Sequence, residues 1–148
     1  MSDNICKVDL FNDLYKNTHT ALQSISNVMP KLSDLNNKIK AELQEQYDGY
    51  ERFLSDLSAY MKNNDMERKD INAFKKMMLW GAVQMNTMAD TTDNHIADIM
   101  LKGTLMGITD VTTMLNGTDG KLPEDVKEYA QRLLKLQEDY EKRLKKFL

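Results

Sequence analysis

The chain has 148 residues, of which 41% are hydrophobic and 29% are charged, and its formal net charge is −3. This length suits one domain with a sizeable core, while two prolines and six glycines leave little material for the turns of an all-β fold. The acidic balance excludes the basic surface by which proteins bind nucleic acid. We therefore predict a single all-α domain over residues 1–148.

The cysteine count and the apolar runs bear on where the protein works. The single cysteine, Cys6, excludes an internal disulfide and is compatible with a reducing cytoplasm. Residues 1–4 lack the basic and apolar regions of a signal peptide, and no apolar run approaches the roughly 18 residues that span a bilayer. We expect a cytoplasmic protein that does not enter a membrane.

The first predicted helix covers residues 7–29. Apolar side chains recur there at steps of three and four residues, which places them on one helical face. Pro30 ends the helix because proline disfavours helical geometry in the residue before it. The predicted inward face consists of Phe11, Leu14, Tyr15, Thr18, Leu22, Ile25 and Met29.

The second predicted helix covers residues 35–62, with Ser33 or Asp34 as its cap and residues 63–65 as its end. Its connection to the first helix is short, so the two should form an antiparallel hairpin. The predicted inward face consists of Ile39, Leu43, Tyr47, Tyr50, Leu54, Leu57 and Met61.

Residues 70–115 hold seven of the eleven methionines and the only tryptophan. Read as one helix this stretch would be about 70 Å long, and no other segment could pack along it. The run 90–94 consists of Thr, Asp and Asn, which favour helix N-caps. We therefore predict two helices, 70–89 and 94–115, with a reversal between them; one bent helix in a simpler up-down bundle is the alternative.

The last predicted helix runs to the C-terminus after a loop at residues 116–120. Pro123 is expected in its first turn, where a missing N–H is harmless. The basic side chains in its last turns suit the negative end of the helix dipole, so we interpret them as a solvated helix end. A contact for an acidic partner is the alternative. The predicted inward face consists of Val126, Tyr129, Leu133, Gln137, Tyr140, Leu144 and Phe147.

These helices predict a four-helix bundle with one full-length helical crossover, residues 70–89, between its second and third core helices. That is the ferritin-like connectivity. Four strings carry a family likeness: residues 12–17 (NDLYKN), 79–86 (LWGAVQMN), 95–107 (HIADIMLKGTLMG) and 140–144 (YEKRL). Through them nearly the whole chain resembles bacterial ferritin-like proteins of unknown function.

The resemblance implies a di-iron centre built from a Glu on each of two helices and a Glu-x-x-His on each of the other two. The chain departs from that pattern, because it contains no Glu-x-x-His. The inward mid-helix positions carry neutral side chains, which are poor ligands for ferrous iron. We predict a neutral polar layer in place of a metal site, formed by Tyr47, Tyr50, Gln137 and Tyr140 and flanked by Thr18, Ala21, Gly103 and Thr104.

Three other features have a plain and a functional interpretation. His95 and Asp98 share a helix face and could ligate a metal, although first-turn chemistry at a helix start explains them. The methionines, including Met85 and Met88, suit core filling or an adaptable surface better than Cu(I). Gly103 and Gly107 indicate close approach of a neighbouring helix or an opening for a ligand.

We predict a non-enzymatic ferritin-like bundle that acts through protein–protein contact, with no catalytic, cofactor-binding or metal-binding residues. The alternative is a divergent metal-binding or oxidoreductase bundle that uses His95, Asp98, Glu51, Glu138 or Glu141. A homodimer through the 70–89 helix is expected, with Trp80 near the contact, because large exposed apolar patches mark interfaces. The apolar residues of that helix cannot all point inward: Met77, Leu79, Trp80, Val83, Met85 and Met88.

Overall fold

The computed structural model describes residues 2–68, 89–117 and 121–148, and this part of the chain contains four long α-helices and no strand. The all-α prediction is confirmed. None of the helices in the described ranges combines the length and apolar character needed to cross a bilayer. The helices are α1 (Ser2–Val28), α2 (Asn37–Asn63), α3 (Asp93–Asn116) and α4 (Glu124–Lys145).

The connection between α1 and α2 consists of two 3₁₀ turns, Met29–Lys31 and Asp34–Asn36. Pro30 lies in the first turn, directly after α1 ends, as the sequence predicts. Ser33 caps the second turn: its hydroxyl accepts a hydrogen bond from the backbone N–H of Leu35, and its own N–H donates to the Asn36 side chain. This reciprocal arrangement is a capping box.

The end of α2 is a Schellman motif, in which a residue of left-handed conformation turns the chain out of the helix. Asp65 has a φ of 56°. The Met66 N–H donates to the Met61 carbonyl over 2.8 Å, and the Asp65 N–H donates to the Lys62 carbonyl over 3.2 Å. The predicted end at residues 63–65 is confirmed.

Contacts at one end of the bundle join the start of α1, the end of α2 and the start of α4. The Asp125 carboxylate in α4 forms an ion pair with Lys7 of α1 over 2.6 Å. The Tyr60 hydroxyl of α2 donates to the same carboxylate, also over 2.6 Å.

The opposite end joins the start of α2, the start of α3 and the end of α4. The side-chain amide of Asn36, just before α2, donates to Asp93 of α3 over 2.6 Å. Arg143 of α4 lies 3.5 Å from Glu42 of α2. Helices α1 and α4 therefore run one way, and α2 and α3 run the other way.

The end of α2 and the start of α3 therefore lie at opposite ends of the bundle, as the predicted connectivity requires. The alternative of one bent helix is wrong, because Thr92 is extended (φ −66°, ψ 152°) and α3 begins at Asp93. The predicted helix 70–89, with Trp80 and the predicted dimer contact, lies outside the described residues except for Ala89.

Pro123 is the N-cap of α4, with an extended ψ of 141°, and does not lie in the first turn.

The four helices share one hydrophobic core. In α4, and in α2 as far as Leu57, the buried side chains alternate by steps of four and three residues, the spacing of left-handed helix packing. Two predicted inward positions of α2, Tyr47 and Leu54, are only half-buried, and their neighbours Gln46 and Phe53 are buried instead. In α4, the predicted inward residue Tyr129 is only half-buried, and its neighbour Ala130 is buried instead. In α2 the prediction missed this phase because the polar Gln46 interrupts the apolar pattern.

Candidate functional site

A layer of polar side chains crosses the bundle about halfway along its helices. All four helices contribute to it, and its members are buried except for Asn17, which is half-buried. We call it the central polar layer. It consists of Asn17, Thr18, Gln46, Tyr50, Thr104, Gln137 and Tyr140.

Two amides join three helices across this layer. The side-chain N–H of Gln137 in α4 donates to the Asn17 oxygen in α1 over 2.8 Å, and the Asn17 N–H donates to the Gly107 carbonyl in α3 over 3.0 Å. A β-carbon on Gly107 would lie 2.5 Å from Gln137 Nε2. Gly107 is therefore glycine because the amides pack directly on the α3 backbone, which confirms the close-approach interpretation there.

Gly103, one turn earlier on α3, is different. Within the described part of the chain, no heavy atom lies within 4 Å of a β-carbon built on it. Gly103 is exposed, and no residue of the described ranges supports the close-approach interpretation there.

Two buried tyrosines form the aromatic part of the layer. The rings of Tyr50 and Tyr140 meet edge to face, with centroids 5.1 Å apart and an interplanar angle of 77°. Burial raises the pKa of the Tyr50 phenol far above its ordinary value, and a contact with Gln137 offsets this only in part. Burial also raises the pKa of Tyr140 to about 12, against the opposing charge of Arg143. Both phenols are therefore neutral near neutral pH.

One side of the layer is connected to the surface through Glu42. Gln46 donates to the Glu42 carboxylate over 3.0 Å, and Arg143 lies 3.5 Å from the same group. The Arg143 guanidinium also lies 5.6 Å from the centre of the Tyr140 ring. The carboxylate that reaches the layer is thus engaged by a guanidinium and an amide.

The predicted neutral polar layer exists, but its hydrogen bonds do not form one fully satisfied network. Thr18 and Thr104 donate to carbonyls of their own helices, Leu14 and Met100, each over 2.9 Å. Gln137 Oε1 is buried and accepts no hydrogen bond within the described part of the chain. The layer therefore holds helices together through the Asn17–Gln137 pair and the ring contact.

Of the other predicted metal ligands, only His95 and Asp98 lie together. His95 and Asp98 line a shallow, open depression at the start of α3 with Asp90 and Asn94, and Asp98 forms an ion pair with Lys102. The described ranges contain no group of three or more His, Cys, Asp or Glu side chains that could hold a metal ion.

The three glutamates named in the metal-binding alternative are also dispersed. Glu51 in α2 and Glu138 in α4 are exposed. Glu141 lies 3.5 Å from Lys145 of the same helix.

Sequence reasoning missed three residues of this region. Gln46 could have been found from the alternating spacing of α2, and Asn17 had no signal because its partners lie on distant parts of the chain. Gly49 was also missed: it is buried, and the Tyr140 hydroxyl lies against it.

Among the methionines, Met61 and Met100 fill the core as expected, whereas Met106 is 64% exposed.

Comparison of the chain with protein-family models, curated proteins and solved structures finds no match. The ferritin-like resemblance therefore remains a prediction from the sequence. The function is argued from the bundle and its central polar layer.

Proposed function

We propose that this protein is a non-enzymatic, ferritin-like helical bundle of the cytoplasm that acts through contacts with other protein chains. The observation that carries the proposal is the composition of the central polar layer. It consists of amides, phenols and hydroxyls at the level of the bundle where a ferritin-like protein holds its carboxylate and histidine ligands.

The layer supports a structural role for the bundle centre. Tyr50, Gln137 and Tyr140 are each no more than 3% exposed and pack against one another or against a neighbouring helix. Neutral phenols and amides bind ferrous iron poorly compared with Glu and His. Because side chains that bind iron poorly fill the centre of the bundle, we infer that the protein acts through its surface.

That surface carries several exposed large apolar side chains, although side chains scattered singly are normal on a protein surface and do not by themselves mark an interface. Leu35 is 93% exposed, Met106 is 64% exposed and Leu148 is 60% exposed. A homodimer through residues 70–89, as predicted from the sequence, remains part of this proposal.

Metal content tests the proposal directly. We would purify the protein without chelator or affinity tag and measure iron, manganese and copper by elemental analysis. We expect less than stoichiometric metal. We also expect Fe(II) or Mn(II) to leave the thermal midpoint unchanged, since a metal that binds only the folded state must raise it.

A matched variant keeps this test specific. If metal raised the thermal midpoint of the wild type but not that of Gln137→Leu or Tyr50→Phe, the central polar layer would be a working metal site. If Asp98→Asn alone abolished the rise, the site would lie at the start of α3. Either result would replace our proposal with the metal-binding or oxidoreductase alternative.

A further inference from the structure

The outward face of α3 carries an apolar surface between charged residues. Met106 is 64% exposed and Leu105 is 40% exposed. With Thr109 and Asp110 they line a shallow depression of about 270 Å³. Gly103 lies beside them, and within the described ranges nothing comes within 4 Å of a β-carbon built on it.

The charges on this face are placed symmetrically about Met106. Lys102 precedes Met106 by four residues and Asp110 follows it by four, so each lies about 6 Å from it along the helix axis. The Lys102 side chain is 72% exposed and pairs with Asp98 over 2.9 Å. Asp110 is exposed.

A second carboxylate strengthens the negative end of this face. Burial raises the pKa of Asp13 in α1, Lys16 lowers it, and the charge of Asp110 adds a smaller repulsion that raises it. Asp13 and Asp110 therefore lie close enough to interact. The face has a lysine at one end, a carboxylate pair at the other end and Met106 between them.

We propose that this face of α3 binds a second copy of the chain in an antiparallel contact centred on Met106. In a twofold interface the same patch meets itself, so a residue before the axis lies near the residue equally far after it on the partner. Lys102 of each copy would then lie level with Asp110 of the other copy, and Met106 would contact its own symmetry mate. The open surroundings of Gly103 allow the two helices to approach closely.

This inference rests on the proposed function and identifies one surface that serves it. A contact along one helix face is smaller than the roughly 1,600 Å² of a standard stable interface. We therefore expect a reversible dimer, populated at high micromolar concentration and weakened by salt, because exposed charge pairs are screened.

Charge reversal at the two symmetric positions tests this arrangement by sedimentation equilibrium. In Lys102→Glu each copy would place Glu against Asp110 of the other copy, and in Asp110→Lys each would place Lys against Lys102. Each variant alone should show at least a tenfold loss of self-association. An equimolar mixture of the two variants should regain the dimer, because both cross-pairs are again of opposite charge.

Two controls separate the contact from general charge effects and from unfolding. Lys135→Glu makes the same reversal on an exposed position of α4 and should leave self-association unchanged. Circular dichroism should show unchanged helix content in all variants. Met106→Lys should also abolish the dimer, because it places two like charges at the centre of the contact.

The outcomes are decisive in either direction. Loss of the dimer in each single variant and its recovery in the mixture would establish the contact. A strictly monomeric wild type would overturn it, as would a dimer that both single variants retain. The last result would place self-association on another surface, such as residues 70–89, and would leave the proposed function standing.

Discussion

The Tyr140 hydroxyl of α4 lies directly against the backbone of Gly49 in α2, in the space that a β-carbon at position 49 would occupy. The ring carbon Cζ of Tyr140 would lie 3.2 Å from the same β-carbon. The absence of a side chain at Gly49 is thus what allows a full tyrosine to fill the bundle centre beside Tyr50.

Gly49→Ala should therefore destabilise the protein even though alanine favours helix formation. Tyr140 is only 3% exposed and carries Arg143 over its ring, so it cannot move aside freely. We expect a loss of about 1–3 kcal/mol in the free energy of unfolding, as for other overpacked cores. Urea denaturation would measure it, and Gly49→Ala with Tyr140→Phe should recover part of the loss because the overlapping hydroxyl is gone.

Two glycines on α3 offer a matched comparison. Gly103→Ala should stabilise the protein by up to about 1 kcal/mol, the helix propensity of alanine over glycine. Gly107→Ala gains the same propensity, but its β-carbon would lie 2.5 Å from Gln137 Nε2 and 3.1 Å from Asn17 Oδ1. We expect a net loss of about 1–2 kcal/mol at Gly107. The free energy of unfolding would be measured at a dilute concentration, at which the protein is monomeric. If Gly103→Ala and Gly107→Ala changed it equally, the amide packing at Gly107 would be contradicted.

The two neighbouring tyrosines of α2 should respond differently to truncation. Tyr50 is 2% exposed, so Tyr50→Ala should open a cavity and cost roughly 3 kcal/mol or more. Tyr50→Phe removes only the hydroxyl contact with Gln137 and should cost about 1 kcal/mol. Tyr47→Ala is the control. It should lower the free energy of unfolding by less, because Tyr47 is only half-buried. Chemical denaturation that ranks Tyr47 above Tyr50 would contradict this placement.

Acid should destabilise the protein through Asp125. Burial raises the pKa of Asp125, but the hydrogen bonds from Lys7 and Tyr60 outweigh burial and hold it below its ordinary value of 3.8. Since folding favours the carboxylate, this stabilisation is present above pH 3.8 and is lost as the pH falls below it. Asp125→Asn should lower the urea midpoint at neutral pH and flatten its dependence on acid pH. An unchanged midpoint at neutral pH would contradict this role.

Alkali should destabilise the protein through its tyrosines. The hydrogen bond to Asp125, with burial, raises the pKa of Tyr60 from 10.0 to about 12, and burial raises that of Tyr140 to about 12. The unfolded chain releases these protons first, so the free energy of unfolding falls as the pH rises from 10 to 12. Phenolate absorbance and circular dichroism should show these residues ionising as helical structure is lost, and Tyr60→Phe should reduce the slope.

The sequence by itself determined where α1 and α2 end and where α3 begins. Pro30, the polar run at residues 63–65 and the capping run at residues 90–94 each act on neighbouring backbone groups. Their effects depend on φ and ψ preferences and on local hydrogen bonds. The apolar spacing also predicted a four-helix bundle, because one face of each helix had to be buried.

The tertiary structure alone decided that Gln46 enters the core and how the polar residues of the core pair with one another. Gln46 is buried in preference to Tyr47 because it donates to Glu42, which Arg143 of another helix also contacts. Gln137 meets Asn17 across a separation of 120 positions, and Gly49 meets Tyr140 between helices. Such pairings depend on the relative rotation of packed helices. The hydrophobic period of one helix leaves that rotation uncertain wherever a polar residue occupies a core position.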